Sequence, residues 1–243
     1  MRILVTNDDS ISASGLLPLV RWCQEQGDVT VVVPKFEQSG KSHGIELHTH
    51  FEAKQVSIAP DVTVWTVDST PADCVRFAIL GLKLEFDLVI SGINRGFNIG
   101  SDQIYSGTVG AASEAAALGV PAIALSTSPE YYDRAVEHLD QVFGYIQEHR
   151  LLDVHSLYNI NIPSGARTIR ITHQGGPYYS DDFPSVGNDL YRPMGKCVYE
   201  NRNDLTLDTD SVMAGDISIM PMTIDKTNWE VYRRLTQTAP NTN

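Results

Sequence analysis

The chain has 243 residues, of which 42% are hydrophobic and 20% are charged, a composition typical of a globular protein that buries a substantial core. Its 30 acidic residues outnumber 18 Lys and Arg residues, and the formal net charge is −12. This balance argues against a nucleic acid polymer as partner, because such binding needs clustered basic residues. A small anionic substrate stays compatible if a bound cation supplies positive charge locally.

The cysteine pattern and the hydropathy bear on cell location. Cys23, Cys74 and Cys197 are far apart and form no CxxC pair, so neither a disulfide framework nor a thiolate metal site is indicated. The apolar run after Arg2 is too short for a signal peptide, and no run reaches transmembrane length. We therefore expect a cytoplasmic protein without a membrane partner.

The first 34 residues predict one βαβ unit. A short buried strand spans 2–6, and a helix with Pro18 in its first turn begins near Gly15–Leu17 and ends at Gly27. A second apolar strand over 29–33 is stopped by Pro34. Apolar strands of this kind are typical of parallel sheets.

The alternation of strands and helices continues to about residue 165. Thr70-Pro71-Ala72-Asp73 opens a helix with a hydroxyl cap, a proline at the first position and an acid in the first turn. The remaining predicted elements are strands at 62–67, 87–91, 122–126 and 157–162 and helices at 108–118 and 130–148. This order predicts an α/β fold with a Rossmann-like, doubly wound, mostly parallel sheet.

The pattern changes after residue 165. Segments 168–172, 196–200 and 217–222 have the character of strands, and 173–195 is predicted to be a loop because it lacks periodicity and contains seven Gly or Pro residues. We therefore expect a catalytic core at 1–165 and a C-terminal region at 166–243 that completes the fold with strands and a β-hairpin extension. Subunit contacts are the expected task of that extension.

Asp8 and Asp9 directly follow the first strand, at the edge of the sheet where open α/β proteins bind ligands. Adjacent carboxylates resist joint ionisation unless a cation lies beside them. All-oxygen sites select hard ions such as Mg²⁺, Mn²⁺ or Ca²⁺. The alternative is an Asp-rich turn in which one carboxylate caps a helix.

Ser39 follows the second strand and Asn94 follows the strand at 87–91, so both are predicted at the same edge. Each could add a neutral oxygen ligand to a metal held by Asp8 and Asp9, and the alternative for each is an ordinary turn residue. His43, close to Ser39 in the chain, is a candidate proton donor to a leaving group.

Two segments are suited to an anion. Glycines recur every fourth residue in 91–100 and permit backbone N–H groups to approach a ligand closely. Ser106-Gly107-Thr108 opens a helix, where hydroxyls and free N–H groups meet the positive end of the helix, although a plain helix cap is the alternative. Neither GxGxxG nor GxxxxGK[ST] occurs, which argues against a nicotinamide-dependent oxidoreductase and a P-loop enzyme.

Taken in order, these motifs resemble the survival protein SurE family of 5′/3′-nucleotidases. The resemblance covers most of the chain and is strongest over 1–126. The segments that carry it are 3–9 (ILVTNDD), Ser39-Gly40 with His43, 70–75 (TPADCV), 91–98 (SGINRGFN), 105–112 (YSGTVGAA) and 215–221 (GDISIMP) with Asp225.

The resemblance implies a metal-dependent phosphatase that cleaves nucleoside monophosphates, forms dimers or tetramers through C-terminal extensions and has a Rossmann-like fold. It implies one divalent ion, Mg²⁺ or Mn²⁺, per subunit. The expected metal ligands are Asp8, Asp9, Ser39 and Asn94; the expected catalytic residues are Asp8, Asp9 and Asn94; the expected phosphate-binding residues are Gly40, Asn98, Ser106, Gly107 and Thr108.

Three departures from the family pattern keep other interpretations open. Ser10 and Ala115 stand where the family usually has glycine, and 173–195 matches poorly. Short polyphosphate or another small phosphate ester is the alternative substrate. A metal- or nucleotide-binding protein without turnover is the alternative of another class.

Overall fold

A computed structural model of the chain describes residues 1–238 and places a nine-stranded sheet at its centre. The strands of this sheet are β1 Arg2–Thr6, β2 Asp28–Pro34, β3 Ala53–Val56, β4 Thr63–Val67, β5 Leu88–Arg95, β6 Ala122–Thr127, β7 Leu157–Ile162, β8 Ile169–Ile171 and β13 Ile217–Pro221. Their order across the sheet is β3-β4-β2-β1-β5-β6-β7-β13-β8.

The six strands from β4 to β7 pair in parallel, in the order of a Rossmann-like doubly wound sheet. β3 pairs antiparallel with β4 at one edge, and β13 pairs antiparallel with β7 near the other. The predicted α/β fold is therefore confirmed. β3 was not predicted from the sequence, since its four residues are half-buried or exposed and show no apolar run.

Helices cover both faces of the sheet, and apolar clusters fill the space on each side. The α-helices are α1 Leu16–Gln26, α2 Pro71–Arg76, α3 Gly107–Ala117, α4 Leu139–Glu148, α5 Leu151–Val154, α6 Asp208–Met213 and α7 Trp229–Thr238. Thr70 caps α2 by accepting a hydrogen bond from the backbone N–H of Asp73, and Ser106 caps α3 in the same way from Val109. Within residues 1–238, no helix is long and apolar enough to cross a membrane.

The single helix expected over 130–148 is wrong in its first half. Two 3₁₀ turns, Pro129–Tyr131 and Ala135–His138, precede α4. The aromatic side chains of Tyr131 and Tyr132 turn inward there and are almost completely buried. Tertiary packing of these two rings overrides the helical period of the sequence.

The loop expected over 173–195 is also wrong. Four short strands form two antiparallel pairs, β9 Tyr179–Asp182 with β12 Met194–Cys197, and β10 Ser185–Gly187 with β11 Leu190–Tyr191. We call residues 179–197 the hairpin arm. Every residue of its strands is exposed, so no alternation of buried and exposed positions marks the strands in the sequence.

Candidate active site

The polar side chains predicted at the sheet edge follow β1, β2 and β5, which are neighbours in the sheet. The chain leaves β1 toward β2 on one side and later returns to β5 on the other side. This reversal of strand order opens a crevice at the carboxyl end of β1, the position at which doubly wound proteins bind ligands. Asp8 and Asp9 lie at that crevice.

Asp8 is 4% exposed and accepts a short hydrogen bond from the hydroxyl of Thr108. Burial raises the pKa of the Asp8 carboxyl to about 6; the negative charge of Asp9 adds to this rise, and the Thr108 hydroxyl opposes it. The ionised form of Asp8 is therefore energetically unfavourable in the folded protein without a bound cation. A carboxylate in this situation gains more from a bound cation than an exposed one does.

Asp9 lies beside Asp8 and is held through one of its two oxygens. Its Oδ2 accepts hydrogen bonds from the backbone N–H of Arg95 at 3.0 Å and from the phenol of Tyr132 at 3.2 Å. Both bonds use Oδ2, which leaves Oδ1 for another ligand. Burial raises the pKa of Asp9, and the charge of Glu37 contributes to the same rise.

The loop after β2 brings Ser39 and Gly40 toward the two carboxylates. The backbone N–H of Gln38 donates to the carbonyl of Asp8 at 2.8 Å, which ties the loop to the end of β1. Ser39 is exposed and its hydroxyl donates to Glu37 Oε1 at 2.7 Å. Gly40 has a φ of +71°, and no atom lies within 4 Å of where a Cβ would stand, so this glycine serves backbone conformation rather than packing.

Asn94 lies near the carboxyl end of β5, which extends four residues beyond the predicted 87–91 strand. Its Nδ2 donates to the carbonyl of Gly96 at 2.8 Å, which orients the amide and leaves Oδ1 available. The register between β5 and β6 is irregular between Ser91 and Asn94. This irregularity is the reason that a simple apolar run underestimates the length of the strand.

Asn98 is almost buried and is held through both its main chain and its side chain. Its Nδ2 donates to Ser126 Oγ at 2.8 Å, and its backbone N–H donates to Asn161 Oδ1 at 2.9 Å. The Asn98 carbonyl accepts from the amides of Asn159 and Asn161 at 2.7 and 3.0 Å. The loop that carries Asn98 is therefore fixed to the ends of β6 and β7.

The start of α3 lies against Asp8. A Cβ at Gly107 would stand 3.0 Å from Asp8 Cβ and 3.1 Å from Pro71 Cγ, so glycine permits this approach. Thr108 bonds to Asp8 Oδ1, and Ser106 is the helix cap. The free N–H groups of this helix end therefore lie beside Asp8.

His43 bonds to Glu114 on α3. The His43 Nε2 and Glu114 Oε2 atoms are 2.7 Å apart, and Arg76 Nη1 donates to Glu114 Oε1 at 2.8 Å. These two bonds, led by that to His43, hold the pKa of Glu114 below its ordinary value. The contacts fasten the loop after β2 to α3 and α2, and Gly110 allows a close approach because a Cβ there would stand 2.3 Å from the carbonyl of Ser42.

A cleft of about 370 Å³ opens beside Asp9. It lies between the segment after β1 and the 3₁₀ turn Pro129–Tyr131 that precedes α4. Its lining residues are Asp9, Ser12, Ala13, Ser14, Glu37, Arg95, Pro129, Tyr132 and Asp133. The cleft is polar and can accommodate more than a phosphate group.

Three residues at or near this edge were not singled out from the sequence as participants in the site. Tyr132 contacts Asp9, and Glu37 contacts Ser39. No sequence motif marks Tyr132 or Glu37. Asp208 is completely buried and accepts hydrogen bonds from the backbone N–H groups of Gly100 at 2.9 Å and Gly175 at 2.7 Å. Burial raises the pKa of Asp208. No motif or apolar pattern in the sequence marks Asp208 for such a long-range bridge.

The structure therefore defines a Rossmann-like α/β protein with an oxygen-rich crevice at its topological switch point. No cluster of three or more His, Cys, Asp or Glu side chains suited to a metal occurs within residues 1–238. The sequence model of the family described as Survival protein SurE matches residues 3–181. The chain belongs to the SurE family.

Relatives and a solved structure agree with this assignment over nearly the whole chain. The 5′-nucleotidase SurE of Thermosipho melanesiensis is 38% identical, covering 97% of this chain and 96% of the relative. The 5′-nucleotidase SurE of Caldanaerobacter subterraneus subsp. tengcongensis is 37% identical, covering 96% of this chain and 95% of the relative. The crystal structure of the SurE protein from Aquifex aeolicus superposes with a TM-score of 0.79 at 27% identity, covering 98% of this chain and 99% of that one.

Proposed function

We propose that this protein is a divalent-metal-dependent phosphomonoesterase that hydrolyses nucleoside 5′-monophosphates to nucleoside and phosphate, with nucleoside 3′-monophosphates as further substrates. Its curated relatives are named 5′-nucleotidase SurE, which supports an enzyme of this class. The observation that carries the proposal is the contact between Asp8 and the start of α3, where a buried carboxylate meets Thr108 and Gly107. The proposed cation site and the proposed anion site thus adjoin.

The proposed metal ligands are Asp8, Asp9, Ser39 and Asn94, and one Mg²⁺ or Mn²⁺ per subunit is the proposed complement. The donor set supports a hard cation, because it offers two carboxylates and two neutral oxygens and no sulfur or nitrogen. The raised pKa of Asp8 supports it as well, since a cation would relieve the cost of its ionisation. When bound, such an ion polarises a phosphate oxygen and lowers the pKa of water.

The chain's own residues would bind and orient the phosphate group. In this proposal Ser106, Gly107 and Thr108 present the positive end of α3 to the phosphate, and Asn98 and Gly40 are further proposed phosphate-binding residues. Hydrogen-bond donors held in place before the reaction stabilise charge on the equatorial oxygens of a transferring phosphoryl group. Acid quenching with labelled substrate separates a covalent phosphate on Asp8 from direct attack by water, since only the first leaves label on the protein.

The cleft beside Asp9 is the proposed place of the nucleoside. It adjoins the proposed metal site and is lined by hydroxyls and carboxylates that can accept hydrogen bonds from ribose hydroxyl groups. Arg95 and Asp133 lie in its wall. We expect Asp133→Asn to raise the KM for a nucleoside monophosphate while the KM for a phosphate ester without a nucleoside stays unchanged.

Phosphate release from a panel of nucleotides, with and without Mg²⁺ or Mn²⁺, tests the proposal. Asp8→Asn and Asp9→Asn should each abolish metal-dependent release, because each removes a proposed ligand. Asp140→Asn is a matched control, since Asp140 bonds to Trp22 away from the crevice. Near-native turnover and metal affinity in either site variant would show that the site is assigned wrongly.

The same panel tests the alternatives. A preference for short polyphosphate or for an ester without a base would replace the nucleotidase proposal with a broader phosphatase. Nucleotide binding by calorimetry without phosphate release under either metal would point to a binding protein.

We further propose that residues 166–243 complete the fold and mediate assembly into a homodimer or homotetramer; residues 239–243 lie outside the described part of the chain. β8 and β13 extend the central sheet, which supports the first part. The hairpin arm supports the second, because it exposes large apolar side chains, namely Phe183, Val186, Leu190, Tyr191 and Met194. Light scattering on the whole chain and on a variant that carries both Leu190→Asp and Tyr191→Asp tests this proposal. The wild type should be an oligomer and the variant should dissociate, whereas a monomeric wild-type chain would contradict the proposal.

A further inference from the structure

Tyr132 reaches Asp9 from a distant part of the chain. The ring is 7% exposed, and its hydroxyl donates to Asp9 Oδ2 at 3.2 Å across 123 positions of sequence. The backbone N–H of Arg95 donates to the same oxygen at 3.0 Å. Two donors on one carboxylate oxygen restrict the rotation of the carboxylate and direct the other oxygen, Oδ1, away from them.

The ring of Tyr132 has little freedom. A Cβ at Gly15 would stand 2.9 Å from Tyr132 Cε2, so the ring packs onto the bare backbone just before α1. The backbone of Tyr132 follows the 3₁₀ turn Pro129–Tyr131, whose Tyr131 N–H donates to the carbonyl of Ser128 at 3.0 Å. A phenol held at both its ring and its main chain has a defined position before any ligand binds.

We propose that Tyr132 is a positioning residue for Asp9, which it holds in the orientation that a divalent cation requires. This inference rests on the proposed metal site. A residue that hydrogen-bonds to the atom of a ligating side chain that does not coordinate the ion fixes the orientation of that side chain. Loss of such a hydrogen bond commonly lowers metal affinity by about 10- to 100-fold. Tyr132 has the hydrogen bond, the burial and the locked ring that this role needs.

The neighbouring tyrosine is a matched control. Tyr131 is 6% exposed, and its hydroxyl donates to Glu137 at 3.2 Å, the same distance as that between Tyr132 and Asp9. Its partner carboxylate is not among the residues that line the cleft. Removal of the Tyr131 hydroxyl therefore reproduces the structural cost of losing a buried phenol hydrogen bond without touching Asp9.

The test compares Tyr132→Phe with Tyr131→Phe and Asp9→Asn in the full-length protein. Mn²⁺ is the probe, and its dissociation constant is measured by calorimetry and by the electron paramagnetic resonance signal of free Mn²⁺. We expect Tyr132→Phe to raise the dissociation constant by about 10-fold or more and Tyr131→Phe to leave it within about twofold. Turnover of Tyr132→Phe should fall at limiting Mn²⁺ and recover at saturating Mn²⁺.

The outcomes separate the two claims. If Tyr132→Phe keeps wild-type Mn²⁺ affinity while Asp9→Asn loses it, the positioning role is wrong and the metal site stands. Equal losses in Tyr132→Phe and Tyr131→Phe would reduce Tyr132 to a structural contact. If Asp9→Asn itself binds Mn²⁺ as the wild type does, the proposed metal site is wrong.

Discussion

Replacement of Asp8 by asparagine is expected to stabilise the metal-free protein while it abolishes activity. Asp8 is 4% exposed, and burial raises its pKa from 3.8 to about 6. The ionised carboxylate is therefore less stable in the folded protein than in the unfolded chain. Asparagine has no such charge, and its Oδ1 can still accept the hydrogen bond from Thr108.

The size of the effect follows from the pKa difference. One pKa unit corresponds to about 1.4 kcal/mol, so a rise from 3.8 to about 6 lowers folding stability by about 3 kcal/mol once Asp8 is ionised in both states. The amide N–H group introduced by the substitution offsets about 1 kcal/mol of the gain if it finds no acceptor. The expected net stabilisation of Asp8→Asn is about 2 kcal/mol above the folded pKa.

The sign of the pH dependence is opposite to that of an ordinary salt-bridged acid. Well below pH 3.8 Asp8 is protonated in both states and contributes no difference. As the pH rises toward about 6, the unfolded chain releases the proton first, so the stability of the wild type falls relative to Asp8→Asn. The difference between the two proteins should grow over this window and then stay constant.

Urea unfolding in the presence of EDTA, measured in parallel from about pH 4 to about pH 8, checks this expectation across the window that the two pKa values define. In excess Mn²⁺ the order should reverse, because only the wild type would gain stability from binding. A variant that is less stable than the wild type in EDTA at the alkaline end of the range, or a difference that does not change with pH, would refute the reasoning.

Three further substitutions test the surroundings of the crevice. Asp208→Ala removes the acceptor of several backbone N–H groups and should lower the free energy of unfolding by about 3 kcal/mol. A loss below about 1 kcal/mol in urea titrations would contradict a stabilising role for the buried Asp208 carboxylate. Gly107→Ala places a methyl group 3.0 Å from Asp8 Cβ, and we expect kcat/KM to fall at least about 10-fold with metal affinity impaired; unchanged kinetics would contradict the close approach. Ser10 has a φ of +74°, a conformation that glycine adopts freely, so Ser10→Gly should retain activity and change stability by less than about 1 kcal/mol. A larger loss in thermal unfolding would show that the Ser10 side chain is needed.

The location of Ser10 explains one departure from the family pattern. Asn7 Nδ2 donates to the carbonyl of Ser10 at 2.9 Å, and this bond shapes the turn that presents Asp8 and Asp9. The positive φ at Ser10 is the reason that glycine is suited to this position. Serine adopts this positive φ here.

Local patterns in the sequence determined the α/β fold and the expectation that Asp8, Ser39 and Asn94 belong to one edge of the sheet. Apolar runs and helix caps mark β1, β2, α2 and α3, and parallel strands necessarily end at the same edge of a sheet. That these three residues belong to the same edge of the sheet follows from the strand topology alone, so their placement could be predicted from the sequence.

Only the tertiary structure decided which distant groups hold these residues in place. Tyr132 reaches Asp9 because two inward-facing rings break the expected helix, and Asp208 joins Gly100 to Gly175 across the sheet end. The hairpin arm forms from exposed residues that no burial pattern marks. Such contacts join segments far apart in sequence and depend on the packing of whole elements, so they leave no periodic or local signal in the chain.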